Sequence, residues 1–332
     1  MKNFKILSML LTIILFMSCS GSGSDEIPEL EKPEPEKAYT VSLNLGGEYM
    51  STSESPLSRT ENAVRYYGIN VYYKDDNSTS WKHYAYGLFD NTNDMTISLI
   101  ASYKYKFVCT MTEDNKDHVY YQHYSDTGNK GFRLPFCKEF TSGVIQTILD
   151  NKFHVSTTSE THLPYINGGK TTIGIDDQKD YPRIDRFYGE LSDYVPSENN
   201  APTIDLKRVA FGIKVVATAP SDGKLTLSND ELGTITQISS EDGNHESEAI
   251  YTFKDVYKCW AGTTTEQEFT LTLTWKRENG ASQEFTKKVT VKRNVMTTIN
   301  IDVTSTTASN TLKFNIDSTP MESETINWKV EA

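Results

Sequence analysis

Short strand-like runs recur along this chain, and no amphipathic helical pattern extends beyond about two turns. The runs include Trp81–Leu88, Met95–Ala101, Lys104–Met111, Thr171–Ile175, Val209–Thr218, Gly223–Leu227, Ile250–Phe253, Phe269–Lys276, Phe285–Lys292 and Thr298–Val303. Turn chemistry separates them at Asp75-Asp-Asn77, Asp114-Asn115, Asn167-Gly168-Gly169, Ser221-Asp-Gly223 and Asn279-Gly280. Asn279-Gly280 between Phe269–Lys276 and Phe285–Lys292 is the clearest hairpin signal. Many short strands at this spacing predict an all-β chain built of β-sandwiches. The 19 tyrosines and the many threonines and valines suit that class.

The amino terminus sets the expected compartment. Lys2 and Lys5 precede an apolar run, Ile6 to Met17, of signal-peptide length and too short to span a bilayer. It ends in Phe16-Met17-Ser18-Cys19, which resembles the lipobox of bacterial lipoproteins. That resemblance implies removal of residues 1–18 and acylation of Cys19, palmitate included, with several acyl chains giving durable membrane anchoring. Residues 20–38 then read as a tether: Ser20-Gly-Ser-Gly-Ser24, followed by Pro28, Pro33 and Pro35 among Glu29, Glu31, Glu34 and Glu36. Acidic residues after such a cysteine resemble signals that send some lipoproteins to the outer surface.

Roughly 290 residues follow, enough for about two domains. The first opens with Tyr39-Thr-Val-Ser-Leu-Asn-Leu45, where Val41, Leu43 and Leu45 alternate with polar residues. A Ser- and Thr-rich stretch, Glu48 to Ala63, carries Ser58-Arg59-Thr60, and Val64 to Tyr73 resumes as a strand with Tyr67, Ile69, Val71 and Tyr73 on one face. An exposed loop with a basic residue is open to a trypsin-like protease. On these residues alone the simpler reading is a hairpin with a surface arginine. Leu191 to Pro202 is polar and Pro-containing, so one domain is expected over 39–202 and a second over 203–304, opening with a strong strand at Leu206–Val215. Residues 305–332 are left over as a tail with two alternating runs: Leu312, Phe314 and Ile316, then Ile326, Trp328 and Val330.

The net charge of −12 favours solubility and argues against nucleic acid as a partner. Beyond Cys19 an odd set remains, Cys109, Cys137 and Cys259, which leaves open a Cys109–Cys137 bond or three buried thiols, the latter expected. No cysteine pair has metal-site spacing, and the histidines are scattered. His118 and His123 near Glu113, Asp114 and Asp117 read as a solvated turn. There is no nucleophile elbow, His-Glu-x-x-His or phosphate loop, so no cofactor, metal or catalysis is expected. Tyr84, Tyr86, Tyr120, Tyr121 and Tyr124 read either as a sugar-stacking platform or, more simply, as sheet packing.

In order along the chain, the lipobox, acidic tether, first strand, Ser-Arg-Thr loop and Val64–Tyr73 look like the amino-terminal part of fimbrillins, the lipoprotein subunits of type V pili. Tyr103-Lys-Tyr-Lys-Phe-Val-Cys109, Arg183-Ile-Asp-Arg-Phe-Tyr-Gly189, Leu206-Lys-Arg-Val-Ala210 and Lys292-Arg-Asn-Val-Met-Thr-Thr-Ile299 resemble that superfamily as well. The resemblance implies two tandem transthyretin-like β-sandwiches. It makes Arg59 the site cut by an arginine-specific protease, Tyr39–Leu45 the strand lost, and the tail 311–330 the donor that fills a neighbour's groove. It also implies a lipid anchor in the outer membrane, a surface location with passage into the fimbrium after processing, and other pilus subunits as partners. A host glycan or protein receptor would complete the partner set. Arg65 offers a second arginine, but inside a strand. The alternative is a glycan-binding surface lipoprotein that never polymerises; it would keep the tail on its own second domain, whereas a pilin needs a mobile donor.

Overall fold

A computed structural model describes residues 36–48, 65–113, 120–122, 130–132, 135–140, 143–145, 149–156, 162–169, 171–172, 178–306, 309–318 and 323–331. Cys19, Arg59, His118, His123 and Tyr124 lie outside them. From Glu36 onward the chain forms one compact unit.

The first strands in chain order are β1 (Ala38–Ser42), β2 (Asn44–Gly47), β3 (Arg65–Lys74), β4 (Lys82–Phe89), β5 (Thr96–Ile100), β6 (Lys104–Glu113), β7 (Tyr120–Gln122), β8 (Lys130–Phe132), β9 (Lys138–Phe140), β10 (Gly143–Ile145), β11 (Phe153–Val155), β12 (Thr171–Thr172) and β13 (Gln178–Lys179). There follow β14 (Asp185–Tyr194), β15 (Thr203–Arg208), β16 (Ala210–Thr218), β17 (Lys224–Asn229), β18 (Gly233–Ser239) and β19 (Asn244–Thr252). A short helix, α1 (Val256–Trp260), precedes β20 (Glu266–Lys276), β21 (Ser282–Lys292), β22 (Met296–Thr306), β23 (Ser309–Ser318) and β24 (Ser323–Glu331). The protein is all-β, as its strand pattern predicts.

A seven-stranded sheet runs β11-β4-β3-β6-β14-β15-β2, antiparallel except for the parallel β15–β2 pair at one edge. Its interior strand β3 carries the expected face: Tyr67, Ile69 and Val71 are buried with Phe107, Cys109, Met111 and Phe187, and Tyr73 packs partly buried beside them. The β1–β5 pair closes over that face, contributing Val41, Ile97 and Leu99 to the same core, with Met95 just before β5. Two further sheets, β19-β16-β22-β23-β24 and β18-β17-β20-β21, share a second core built on Ile213, Val215, Leu225, Leu271, Leu273 and Ile299. Tyr86, Val108 and Tyr188, on the back of the seven-stranded sheet, belong to that second core too. The expected β20–β21 hairpin is present, with Trp275 opposite Gln283, and Gly280 in its turn takes φ 87°, a conformation glycine adopts without steric cost.

Two strands differ from expectation. The run Leu206–Val215 is broken at Val209, so that β15 belongs to the seven-stranded sheet and β16 to the five-stranded one. Val209 donates its N–H to the Arg186 carbonyl at 2.8 Å while its own carbonyl accepts from Phe253, so the chain changes sheets without orphaning a backbone group. The first strand is likewise two, β1 and β2, with Leu43 between them.

Candidate functional site at the N-terminal strand

The segment 36–48 bridges two sheets. β1 pairs antiparallel with β5, Val41 opposite Ile97, and β2 pairs parallel with β15, Leu45 opposite Ile204. Leu43, at the crossover, donates its N–H to the Met95 carbonyl at 2.9 Å, and Asn44 donates to Pro202 at 2.8 Å. Val41 and Leu43 are 5% and 4% exposed and Leu45 packs half-buried beside them. Burying two such side chains contributes about 3–6 kcal/mol before ordering costs. Yet among the described residues β1 has one strand partner and β2 ends its sheet. The segment can therefore leave without cutting an interior ladder.

Its far end is held ionically. Gly47 takes φ 82°, and a Cβ there would lie 2.7 Å from the Leu206 carbonyl oxygen, so the strand turns past β15 where only glycine fits. Glu48 then receives a two-point fork from Arg293: Nη1 donates to Oε2 at 2.8 Å and Nη2 to Oε1 at 3.0 Å. The Arg208 backbone N–H also donates to Oε2 at 3.0 Å, and Arg293 Nη1 donates to the Arg208 carbonyl at 3.0 Å. The Arg208 side chain is itself buried in a fork on Asp185, Nε to Oδ1 at 2.7 Å with Nη2 on Oδ2. Such forks are the strong members of the hydrogen-bond family because both partners are charged and the geometry is fixed at two points.

Three stretches singled out in the sequence thus meet: Arg183–Gly189 supplies Asp185, Leu206–Ala210 supplies Arg208, and Lys292–Ile299 supplies Arg293. Arg186, next to Asp185, is buried, and among the described residues its acceptors are neutral. It donates to Thr110 Oγ1 at 2.7 Å, the Ile166 carbonyl at 2.6 Å, the Tyr165 carbonyl at 3.2 Å, and the Gly168 carbonyl. Burial pulls its guanidinium down to about 9. Its work is to pin the 162–169 loop to the sheet, with Asn70, whose amide pairs both the N–H and the C=O of Leu163 at 2.9 and 3.0 Å. Glu48 was not anticipated; the signal available was an acidic residue three positions beyond the last apolar residue of the strand.

Arg65, the second arginine, is tied into the sheet. It sits opposite Glu113 in the β3–β6 ladder and donates from Nε and Nη2 to Glu113 Oε1 at 3.0 and 2.8 Å. The tail lies on its own chain: β23 runs antiparallel to β22 and β24 antiparallel to β23. Two of the candidate platform tyrosines separate. A register shift between Val71 and Tyr72 inserts an extra residue in β4, so that Tyr84 packs on the first core and Tyr86 on the second, on opposite faces. Cys109, Cys137 and Cys259 are buried thiols, not disulfide-bonded; burial pushes the Cys259 thiol up to about 12. Among the described residues no group of three metal-ligating side chains forms, and no helix is long and apolar enough to cross a membrane.

His83 titrates abnormally. Burial, the His162 ring stacked on it at 4.0 Å, and the Lys106 ammonium lower its imidazole from 6.5 to about 4. The unfolded chain therefore binds more protons between those values, and stability is lost as pH falls through that window. His83→Gln should lose less thermal stability than the parent between pH 6.5 and 4; identical slopes for the two proteins would refute the assignment.

No protein-family model matches the sequence, and no curated protein does. Among solved structures, the chain is similar to a candidate adhesin from Bacteroides thetaiotaomicron, with 11% identity and a TM-score of 0.37 over 90% of this chain and 99% of that one. It is similar to a fimbrial assembly protein from Parabacteroides distasonis, with 11% identity and a TM-score of 0.32 over 85% and 96%. The fimbrial anchor protein Mfa2 from Porphyromonas gingivalis gives 11% identity and a TM-score of 0.29 over 79% and 89%. Likeness on this scale carries no argument about what the chain does; its own strands must supply one.

Proposed function

We propose that this protein is a lipid-anchored surface subunit of a pilus, or a fimbrial adhesin, assembled by strand exchange. In this reading Cys19 carries the acyl chains that hold the precursor at the outer membrane. Proteolysis after Arg59 separates residues 19–59, including β1 and β2, from the rest of the chain, and the vacated slot accepts a strand from the tail of another copy. In this reading neither sandwich is catalytic. The observation that carries the reading is the placement of residues 36–48: they fill the first core with Val41 and Leu43 while occupying sheet edges only. Losing such a segment uncovers apolar surface and two strand edges, which is what an added strand binds.

The test is limited trypsin digestion of the protein recovered from cell membranes, followed by mass spectrometry. Cleavage after Arg59 should come first, with Arg65 protected by its fork on Glu113. Denaturing the cut protein should then release an N-terminal fragment beginning at an acylated Cys19. Cleavage elsewhere with the Arg59 bond intact, or an unacylated fragment, refutes the corresponding step.

A second reading is a surface binder of glycans that stays monomeric. The tail's position beside β22 of its own chain favours it, since a monomer would keep those strands there. Cut protein that remains monomeric at high concentration would decide for it.

A further inference from the structure

The corner where the N-terminal strand ends contains two arginines and two carboxylates from four distant parts of the chain. Asp185 is committed to Arg208, and Glu48 to Arg293. When residues up to 59 depart, Glu48 goes with them. Among the described residues Arg293 then keeps the Arg208 carbonyl and has no carboxylate. With Glu48 in place its side chain is already 23% exposed, so the strand's departure opens a guanidinium that a new partner reaches from the surface. A guanidinium left in that state suits a new carboxylate, because the two-point charged hydrogen bonds that Glu48 made are restored.

The tail carries a matching sequence. Leu43-Asn44-Leu45-Gly46-Gly47-Glu48 reads apolar, Asn, apolar, two residues, Glu, and Ile326-Asn327-Trp328-Lys329-Val330-Glu331 repeats it; no other stretch of the chain does. The other tail run fails the pattern, since Phe314-Asn315-Ile316 has Thr319 where the glutamate would stand. Charge separates them further. A Cβ at Gly46 would lie 2.6 Å from Asp205 Oδ1, so the residue at that position faces a carboxylate. In this register β24 puts Lys329 there, while β23 puts Asp317 there. Val330 falls at Gly47, where the φ of 82° and the Leu206 carbonyl oxygen 2.7 Å from a Cβ both exclude it, so the entering strand stands off β15 at that point and Arg293 must reach out to Glu331.

We infer that Arg293, with the Arg208 backbone, forms a carboxylate seat that sets the register of the strand in the slot, and that its occupant in an assembly is Glu331 of a second copy. The inference rests on the strand-exchange reading and adds to it the choice of β24 over β23.

The test uses full-length chains cut after Arg59, with SDS-resistant oligomers and fragment release followed over time. Glu331→Lys leaves the Glu48 fork of the uncut chain untouched and should slow assembly about tenfold, the value of one charged hydrogen-bonded contact. Arg293→Glu should slow assembly to a similar extent even though it loosens the departing strand. The double variant, Arg293→Glu with Glu331→Lys, should recover to within about twofold of the parent, as expected for a directly coupled pair. If the parent assembles but the single variants match it, or the double variant stays slow, the seat is wrong and strand exchange stands. If the parent releases its fragment and never assembles, both are overturned.

Discussion

Arg208→Ala is expected to destabilise the protein by about 3–5 kcal/mol, because it leaves Asp185 buried without its counter-ion. Both side chains are nearly inaccessible, 5% and 10% exposed, so neither water nor salt screens the loss. Arg208→Lys keeps the charge but not the two-point fork, and about 1.5–3 kcal/mol should go. The double substitution Asp185→Leu with Arg208→Met should restore most of the stability lost in Arg208→Ala, since an apolar pair of similar volume carries no desolvation cost. Urea denaturation of the uncut chain measures all three. A loss below about 1 kcal/mol for Arg208→Ala would mean that the pair is hydrated in solution.

Deleting 305–332 should leave a folded chain that is still cut after Arg59 but no longer forms SDS-resistant oligomers. β22 keeps its parallel pairing with β16 from Met296 to Ile301 when the outer strands are gone, so the sheet survives. What is lost is the donor. Phe314→Asp and Trp328→Asp each place a charge on an apolar strand face, and an unpaired carboxylate in an apolar slot costs several kcal/mol, enough to slow assembly by more than about a hundredfold. If Trp328 rather than Phe314 enters the slot, its substitution is the more damaging. Oligomers from the tail-deleted chain would remove the tail from the mechanism. Circular dichroism guards against misreading, because deletion uncovers the β22 edge and invites non-specific pairing.

Much of the architecture was legible locally. The period-2 face of Tyr67, Ile69 and Val71 is the face that β3 turns to the first core, and Asn279-Gly280 does turn the β20–β21 hairpin. Val41 and Leu43 were readable as core residues from alternation alone. The strand β14 was not recognisable in that way, because Asp185 and Arg186 at its start look like surface residues. They are buried because partners elsewhere in the chain neutralise or cage them.

Alternation says which residues share a face; it does not say which neighbour a strand will have. The sequence by itself determined an all-β chain, the positions of its main turns, and the apolar faces of its first strand and tail. Only the tertiary structure decided that the first strand crosses from β5 to β15 at Leu43, and that the run from Leu206 changes sheets at Val209. It alone placed Tyr84 and Tyr86 on opposite faces, and set Glu48 on an arginine 245 positions away. The physical reason is range: side-chain periodicity acts over two residues, whereas edge pairing and buried charge pairing are satisfied only when whole sheets have packed.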